Sequence, residues 1–324
     1  MSAMYDLLGR FSVLVVVLWL LWKLSRGLWT SFIASSLGLG VKWCPSDKTW
    51  AIITGATDGI GKAYAQRMAK MGYNLLLISR SEDKLNKTKE EILAKHKKCS
   101  EVRVLAVDFT QNDIYDRLEA TIGSLDDIHV LINNVGISYS YPEYFTQIPD
   151  SQKLIESIIN CNIISMTRII ELVLPKMEAK RRGVIINLSS YSASYPMPLL
   201  SLYASSKIYV DFLSRALQVE YANKGITIQS VLPAYVMTNM SKIRRSSLMV
   251  PTPEVYVDHA LRTVGIESRT YGYWPHKLQG FLQDSIISNT IGLGSDFNIK
   301  LAFNALKDVR RRYYKKEGLK EKTN

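Results

Sequence analysis

Tyr203 and Lys207 stand four residues apart, at the start of a run through Glu220 with helical spacing, so both side chains fall on one helical face. A free phenol, with a pKa of about 10, is a poor acid or base at neutral pH. An ammonium group one turn away would favour the phenolate and bring Tyr203 into proton-transfer range. Ser190 lies thirteen residues upstream, at the end of the strand-like run Gly183-Val-Ile-Ile-Asn-Leu-Ser-Ser190. Its hydroxyl could hydrogen-bond a carbonyl or alcohol and aim it at the phenol. A control for chance lies within the chain, because Tyr273 and Lys277 share the spacing. Pro275 between them argues against a helical arrangement, and the residue thirteen before Tyr273 is Ala260.

The elements that must position these groups alternate. Trp50-Ala-Ile-Ile-Thr54 reads as a strand running into Gly55-Ala-Thr-Asp-Gly59-Ile-Gly61, and Lys62 to Met71 as the helix after it. A glycine turn between strand and helix lets backbone amides approach a pyrophosphate. Leu75 to Arg80 reads as a second strand with no acid at its end, and Arg80 there suits a 2′-phosphate, favouring NADP(H) over NAD(H). A polar helix, Glu82 to Lys98, precedes a third strand, Val102 to Phe109. Asp108 in that strand could meet an adenine or cap the next helix. A fourth strand, His129 to Gly136, carries Asn133-Asn134. A helix from Ser151 to Ala179, interrupted at Pro175, holds Asn162 among isoleucines, where it either stitches helix to sheet or positions a water. Val184 to Ser189 and Ile226 to Pro233 are the fifth and sixth strands. This alternation predicts an α/β fold, one doubly wound parallel sheet of Rossmann type with helices on both faces. Tyr235 to Asp258 is expected to be a mobile lid, although its apolar residues suit a core equally well.

The 324 residues carry a formal charge of +12, and three cysteines without a C-x-x-C pair imply no disulfide framework. The four histidines lack ligand spacing, so no metal is expected. The apolar run Phe11 to Trp22 is short for a span, yet reaches that length if Arg10 and Lys23 extend to the interfaces, with Trp19 and Trp22 as anchors. A cleaved signal peptide, for which no small-residue cleavage site follows directly, and a buried amphipathic helix are the competing readings. Lys23, Arg26, Lys42 and Lys48 follow the run, which places the body in the cytosol by the positive-inside rule. Between Lys307 and Lys322 eight Lys/Arg face three acids. That charge suits anionic headgroups better than nucleic acid, for which no motif is present. Residues 1–47 are thus read as anchor and linker, 48–280 as the catalytic domain and 281–324 as a basic, membrane-associated extension.

With Thr54-Gly-x-x-x-Gly-Ile-Gly61, Asn133-Asn-Val-Gly136, Asn162, Ser190 and Tyr203-x-x-x-Lys207 in this order, the chain resembles the short-chain dehydrogenase/reductase family over about residues 48 to 265. The resemblance implies Tyr203 as general acid/base, Lys207 as its pKa-lowering partner and ribose ligand, Ser190 as the group polarising the substrate oxygen, and Asn162 as holder of a relay water. Cofactor contacts carry over to Gly55, Thr57, Asp58, Gly59, Ile60, Gly61, Arg80, Asp108, Asn134, Tyr203, Lys207, Val236 and Thr238. Ile78-Ser-Arg80, Ser230-Val-Leu-Pro233 and Ser268 to His276 resemble the membrane-bound branch of 17-beta-hydroxysteroid dehydrogenases and very-long-chain 3-oxoacyl-CoA reductases. That branch implies an NADPH-dependent reductase of a lipophilic ketone, either a long-chain 3-oxoacyl-CoA or a 17-keto-steroid, in the endoplasmic-reticulum membrane. Lys320 and Lys322 resemble a dilysine retrieval signal. A homodimer and the enzymes of fatty-acid elongation are the partners it admits. A non-catalytic NADP-binding scaffold and an oxidative steroid or retinoid dehydrogenase are the alternatives.

Overall fold

Why one sheet forms is visible in its strands. A computed structural model describes residues 2–283 and 294–319, so Lys320 and Lys322 lie outside the described residues. In chain order the elements are α1 (Ser2–Leu28), β1 (Thr49–Thr54), α2 (Gly59–Met71), β2 (Asn74–Ser79), α3 (Glu82–Lys95), β3 (Val102–Ala106), α4 (Tyr115–Gly123) and β4 (Asp127–Asn133). There follow α5 (Ser151–Ile158), α6 (Ser165–Lys180), β5 (Gly183–Leu188), α7 (Ser201–Tyr221), β6 (Ile226–Val231), α8 (Pro253–Leu261), β7 (Arg269–Thr270), α9 (Trp274–Phe281) and α10 (Gly294–Lys316). Strands β1 and β5 are buried at every residue, as parallel strands covered on both faces must be.

The seven strands pair in parallel in the order β3-β2-β1-β4-β5-β6-β7. Successive residues serve opposite faces. Ile53, Leu75, Leu77 and Val130 pack with α2, α3 and α8, while Ile52, Leu76 and Leu131 pack with α4, α6 and α7. The strand order reverses between β1 and β4, which opens a crevice at the carboxyl ends of these strands. The two-residue β7 is too short to leave a pattern in the sequence.

Two expectations about proline need correction. Pro175 does not interrupt α6, and Glu171, the residue whose carbonyl loses a helical partner to it, is exposed. The real irregularity is a π-helical turn, Ile159–Ile164, between α5 and α6. Pro275 does not prevent a helix between Tyr273 and Lys277 either. It sits in the first turn of α9, where proline has no N–H to lose, and the Lys277 amide donates to the Tyr273 carbonyl at 3.0 Å.

Helix α1 continues through a π-helical turn, Trp29–Ile33, and the segment Met4–Ile33 is 30 residues, long and apolar enough to cross a membrane, with none of its most apolar window buried. The run read from the sequence was therefore too short. Ser151–Lys180 has similar length and composition, but half of its window is buried against the sheet, as befits a core helix. Helix α10 returns to the body through a buried ion pair between Arg310 and Glu143, 2.5 Å apart, and the Tyr314 hydroxyl donates to the other Glu143 oxygen at 2.5 Å.

Candidate active site

The glycine turn owes its sequence first to packing. Gly55 and Gly59 have φ of +64° and +52°, a region that disfavours any Cβ. A Cβ on Gly55 would stand 2.7 Å from Asn134 Nδ2, and one on Gly61 would overlap both that nitrogen and the Gly55 carbonyl. Asn134 holds the turn in place, its Nδ2 donating to the carbonyls of Thr54 (3.0 Å) and Gly55 (3.3 Å). The Thr54 hydroxyl in turn accepts the amides of Asn134 and Val135. The bare backbone that results faces the N-terminus of α2, a cradle for a pyrophosphate that side chains would fill.

Around it the other expected cofactor residues gather. Thr57 and Ser79 share a hydroxyl hydrogen bond at 3.1 Å, and Arg80 is exposed just beyond β2. Asp108 accepts from the Thr110 amide (3.0 Å) and hydroxyl (2.9 Å), so it shapes the turn after β3 rather than capping α4, whose N-cap is Ile114. Val236 is buried, Thr238 lies against Gly59, and Asn239 donates to Asp58 at 2.8 Å. The segment after β6 thus reaches the glycine turn at Asp58 and Gly59. These residues fit a dinucleotide.

The chemical groups converge next to this cradle. Tyr203 and Lys207 lie one turn apart in the first half of α7, and Ser190 follows the end of β5. Burial raises the pKa of the Tyr203 phenol above the ordinary value, and the neighbouring Ser190 hydroxyl opposes the rise. The Lys207 Nζ lies 5.9 Å from the Tyr203 ring centre and donates to the Leu188 carbonyl at 2.9 Å. Burial lowers the ammonium to about 8. Asn162, in the π-helical turn, does the stitching, accepting from the Ile137 amide (2.8 Å) and donating to the Ile137 carbonyl (3.0 Å) and to Ser206 (2.9 Å). Such turns recur at functional sites.

Several residues of the site escaped the sequence. Tyr139 accepts the Leu202 amide at 3.3 Å, which ties the loop after β4 to the start of α7. The Glu143 amide donates to the carbonyl of Leu199, a buried non-glycine residue with φ of +66°. Tyr235 is close enough to Tyr203 to act on its charge. None stands in a recognisable spacing. The expected lid divides in two. Residues 235–252 form a loop with exposed Met240, Leu248 and Met249, whereas α8 buries Tyr256 and Val257 in the core. Lys242 ties this loop to the segment after β4, donating to the Ser140 carbonyl at 3.1 Å. Among the described residues no group of three His, Cys, Asp or Glu could hold a metal ion.

A sequence model of the short chain dehydrogenase family matches residues 49–248. The chain belongs to the short-chain dehydrogenase family. Similar members include very-long-chain 3-oxoacyl-CoA reductase of Macaca fascicularis, 45% identical over 93% of each chain, and that of Homo sapiens, 44% identical over the same shares. Among solved structures, a short-chain dehydrogenase from Sphingobium yanoikuyae in complex with NADPH is 29% identical, with a TM-score of 0.60 over 68% of this chain and 86% of its own. As in any member of this family, the carboxyl edge of the sheet is where an oxidoreductase site belongs.

Proposed function

We propose that this chain is an NADPH-dependent reductase of a long-chain 3-oxoacyl-CoA. What carries the reading is the Ser190 hydroxyl placed close enough to the Tyr203 phenol to act on its ionisation, one helical turn from Lys207, in a chain that matches very-long-chain 3-oxoacyl-CoA reductases along nearly its full length. Gly55, Thr57, Asp58, Gly59, Ile60 and Gly61 would hold the pyrophosphate side of NADPH, with Asp108, Asn134, Val236 and Thr238 around it and Arg80 toward the 2′-phosphate. When bound, the nicotinamide supplies a hydride for the carbonyl carbon. Ser190 donates a hydrogen bond to the carbonyl oxygen, and Tyr203 gives that oxygen its proton. The phenolate left behind is anionic in a partly buried site, and the Lys207 ammonium one turn away is the charge that offsets it. Asn162 keeps Ile137 and Ser206 fixed around the lysine.

The surroundings support the substrate class. The exposed Met240 of the loop suits an acyl chain, and Lys242, Arg244 and Arg245 suit the phosphates of coenzyme A. Residues 1–47 serve as membrane anchor and linker, 48–280 as the catalytic domain and 281–324 as the basic extension. On this reading the enzyme sits in the endoplasmic-reticulum membrane with its catalytic domain in the cytosol, beside the other enzymes of fatty-acid elongation; the apolar segment Met4–Ile33 supports the membrane attachment. Exposed Phe212 and Val219 on α7 offer a face for a homodimer.

The test is NADPH oxidation by the detergent-solubilised protein, with a long-chain 3-oxoacyl-CoA and a 17-keto-steroid offered separately. Turnover of the acyl-CoA that is lost in Tyr203→Phe supports the reading. Steroid turnover alone, or acyl-CoA turnover that survives Tyr203→Phe, refutes it.

A further inference from the structure

Helix α9 joins the membrane segment to the loop over the active site. On one side, Lys277 donates to the hydroxyls of Thr30 (3.0 Å) and Ser31 (3.2 Å) at the foot of the N-terminal helix, and pairs with Glu267 at 2.8 Å. The Phe32 and Trp274 rings pack there with centres 6.3 Å apart. On the other side, His276 is fully buried and grips the loop twice. Its Nδ1 accepts the Ala234 amide at 3.3 Å, and its Nε2 lies 3.1 Å from the Met249 carbonyl. Burial lowers the imidazole pKa, which keeps one nitrogen an acceptor and leaves the other to donate. Ala234 directly precedes Tyr235, the neighbour of Tyr203, so the loop is held at both ends by the helix that also holds the anchor.

Two rows of exposed apolar side chains lie along this connection. Trp274 and Leu278 on α9 and Leu282 directly after it follow one another at four-residue intervals, starting at the anchor's foot, and Leu278 and Leu282 are exposed. Leu248 and Met249 are exposed at the loop's far end, beside the His276 contact. The cations Lys242, Arg244 and Arg245 stand a few residues before them. Apolar tips flanked by cations are the composition of a segment that lies in a bilayer interface, tips in the acyl region and cations at the headgroups. The foot of a spanning helix must sit at that level, and hydrogen bonds fix α9 to the foot.

We propose that the outer stripe of α9 and the loop tip at Leu248–Met249 rest in the interface of the membrane that holds the N-terminal helix, so that the cleft above Tyr203 opens toward lipid. A lipophilic chain would then reach the cleft from the bilayer without crossing water. The proposal rests on the reading of Met4–Ile33 as a membrane span.

The experiment places a spin label at Leu248→Cys, Leu278→Cys, Leu14→Cys or Glu90→Cys, one at a time, in full-length protein carrying Cys44→Ser. The protein is held in phosphatidylcholine–phosphatidylserine vesicles, and relaxation by oxygen is compared with relaxation by a water-soluble nickel chelate. Leu14 reports on the span and Glu90, exposed on α3, on water. The proposal expects an oxygen-to-nickel ratio at Leu248 and Leu278 several-fold above that at Glu90 and close to that at Leu14. A water-like ratio at either position, with Leu14 in lipid, overturns it. A water-like ratio at Leu14 removes the span itself, and the proposal with it.

Discussion

The Lys207 ammonium donates to the Leu188 carbonyl at 2.9 Å, a bond that ties α7 to the end of β5 and holds a buried cation beside the Tyr203 ring. Burial, not a neighbouring charge, is the largest influence on this lysine and brings it to about 8 from 10.5. Below that value the ammonium is present in the cofactor-free protein, and above it the cation is lost.

NADPH affinity should therefore weaken as pH rises through about 8, and the same titration of Lys207→Met should be flat across that range. Fluorescence titration of NADPH from pH 6.5 to 9.5 checks this, and a wild-type affinity that does not change would count against Lys207 as a ribose ligand. The stability effect has the opposite sign. The buried charge is a penalty below about pH 8 that is relieved as pH rises toward 10.5, because the unfolded chain then binds more protons than the folded one.

Two glycine substitutions should separate packing from conformational freedom. Gly61→Ala would drive a methyl into the Gly55 carbonyl and Asn134, costing about 1–3 kcal/mol as overpacking and abolishing NADPH binding. Gly123→Ala meets nothing within 4 Å at the end of α4 and should stabilise by about 0.5–1 kcal/mol. Denaturant unfolding measures both.

Arg310→Met should be far more damaging than an ordinary surface change. It leaves the Glu143 carboxylate buried without its ion-pair partner, a loss of about 3–5 kcal/mol. Arg310→Met with Glu143→Gln should recover part of that loss, since no charge is then stranded. A double-mutant cycle by unfolding in detergent reads the coupling, and additive losses would show that the pair contributes nothing beyond its two members.

Replacing Arg80 by Ala should change cofactor choice and not chemistry. The KM for NADPH should rise by about tenfold or more, the worth of one charge-assisted contact. The KM for NADH should move little, and kcat at saturating NADPH should persist. Steady-state kinetics with both cofactors decides it, and an unchanged NADPH KM would remove Arg80 from the 2′-phosphate site.

The sequence by itself determined the alternation of strands and helices, because buried parallel strands must be continuous apolar runs and these are bounded by turn residues. It also determined which groups could do chemistry, since Tyr203, Lys207 and Ser190 are fixed by type and spacing, and the glycine turn by its place between strand and helix. How those groups are wired depends on contacts made by the folded chain. Asn134 explains Gly55 and Gly61 through an approach between residues about eighty apart in sequence, which no local pattern records. Lys207 bonds a backbone carbonyl of a different element, a partner that four-residue spacing does not reveal. The proline readings failed because a proline's cost depends on whether its lost hydrogen bond had a partner to lose. Glu143 and Arg310 were two charges among many in the sequence. Burial against each other, across 167 residues, is a property of the folded chain alone.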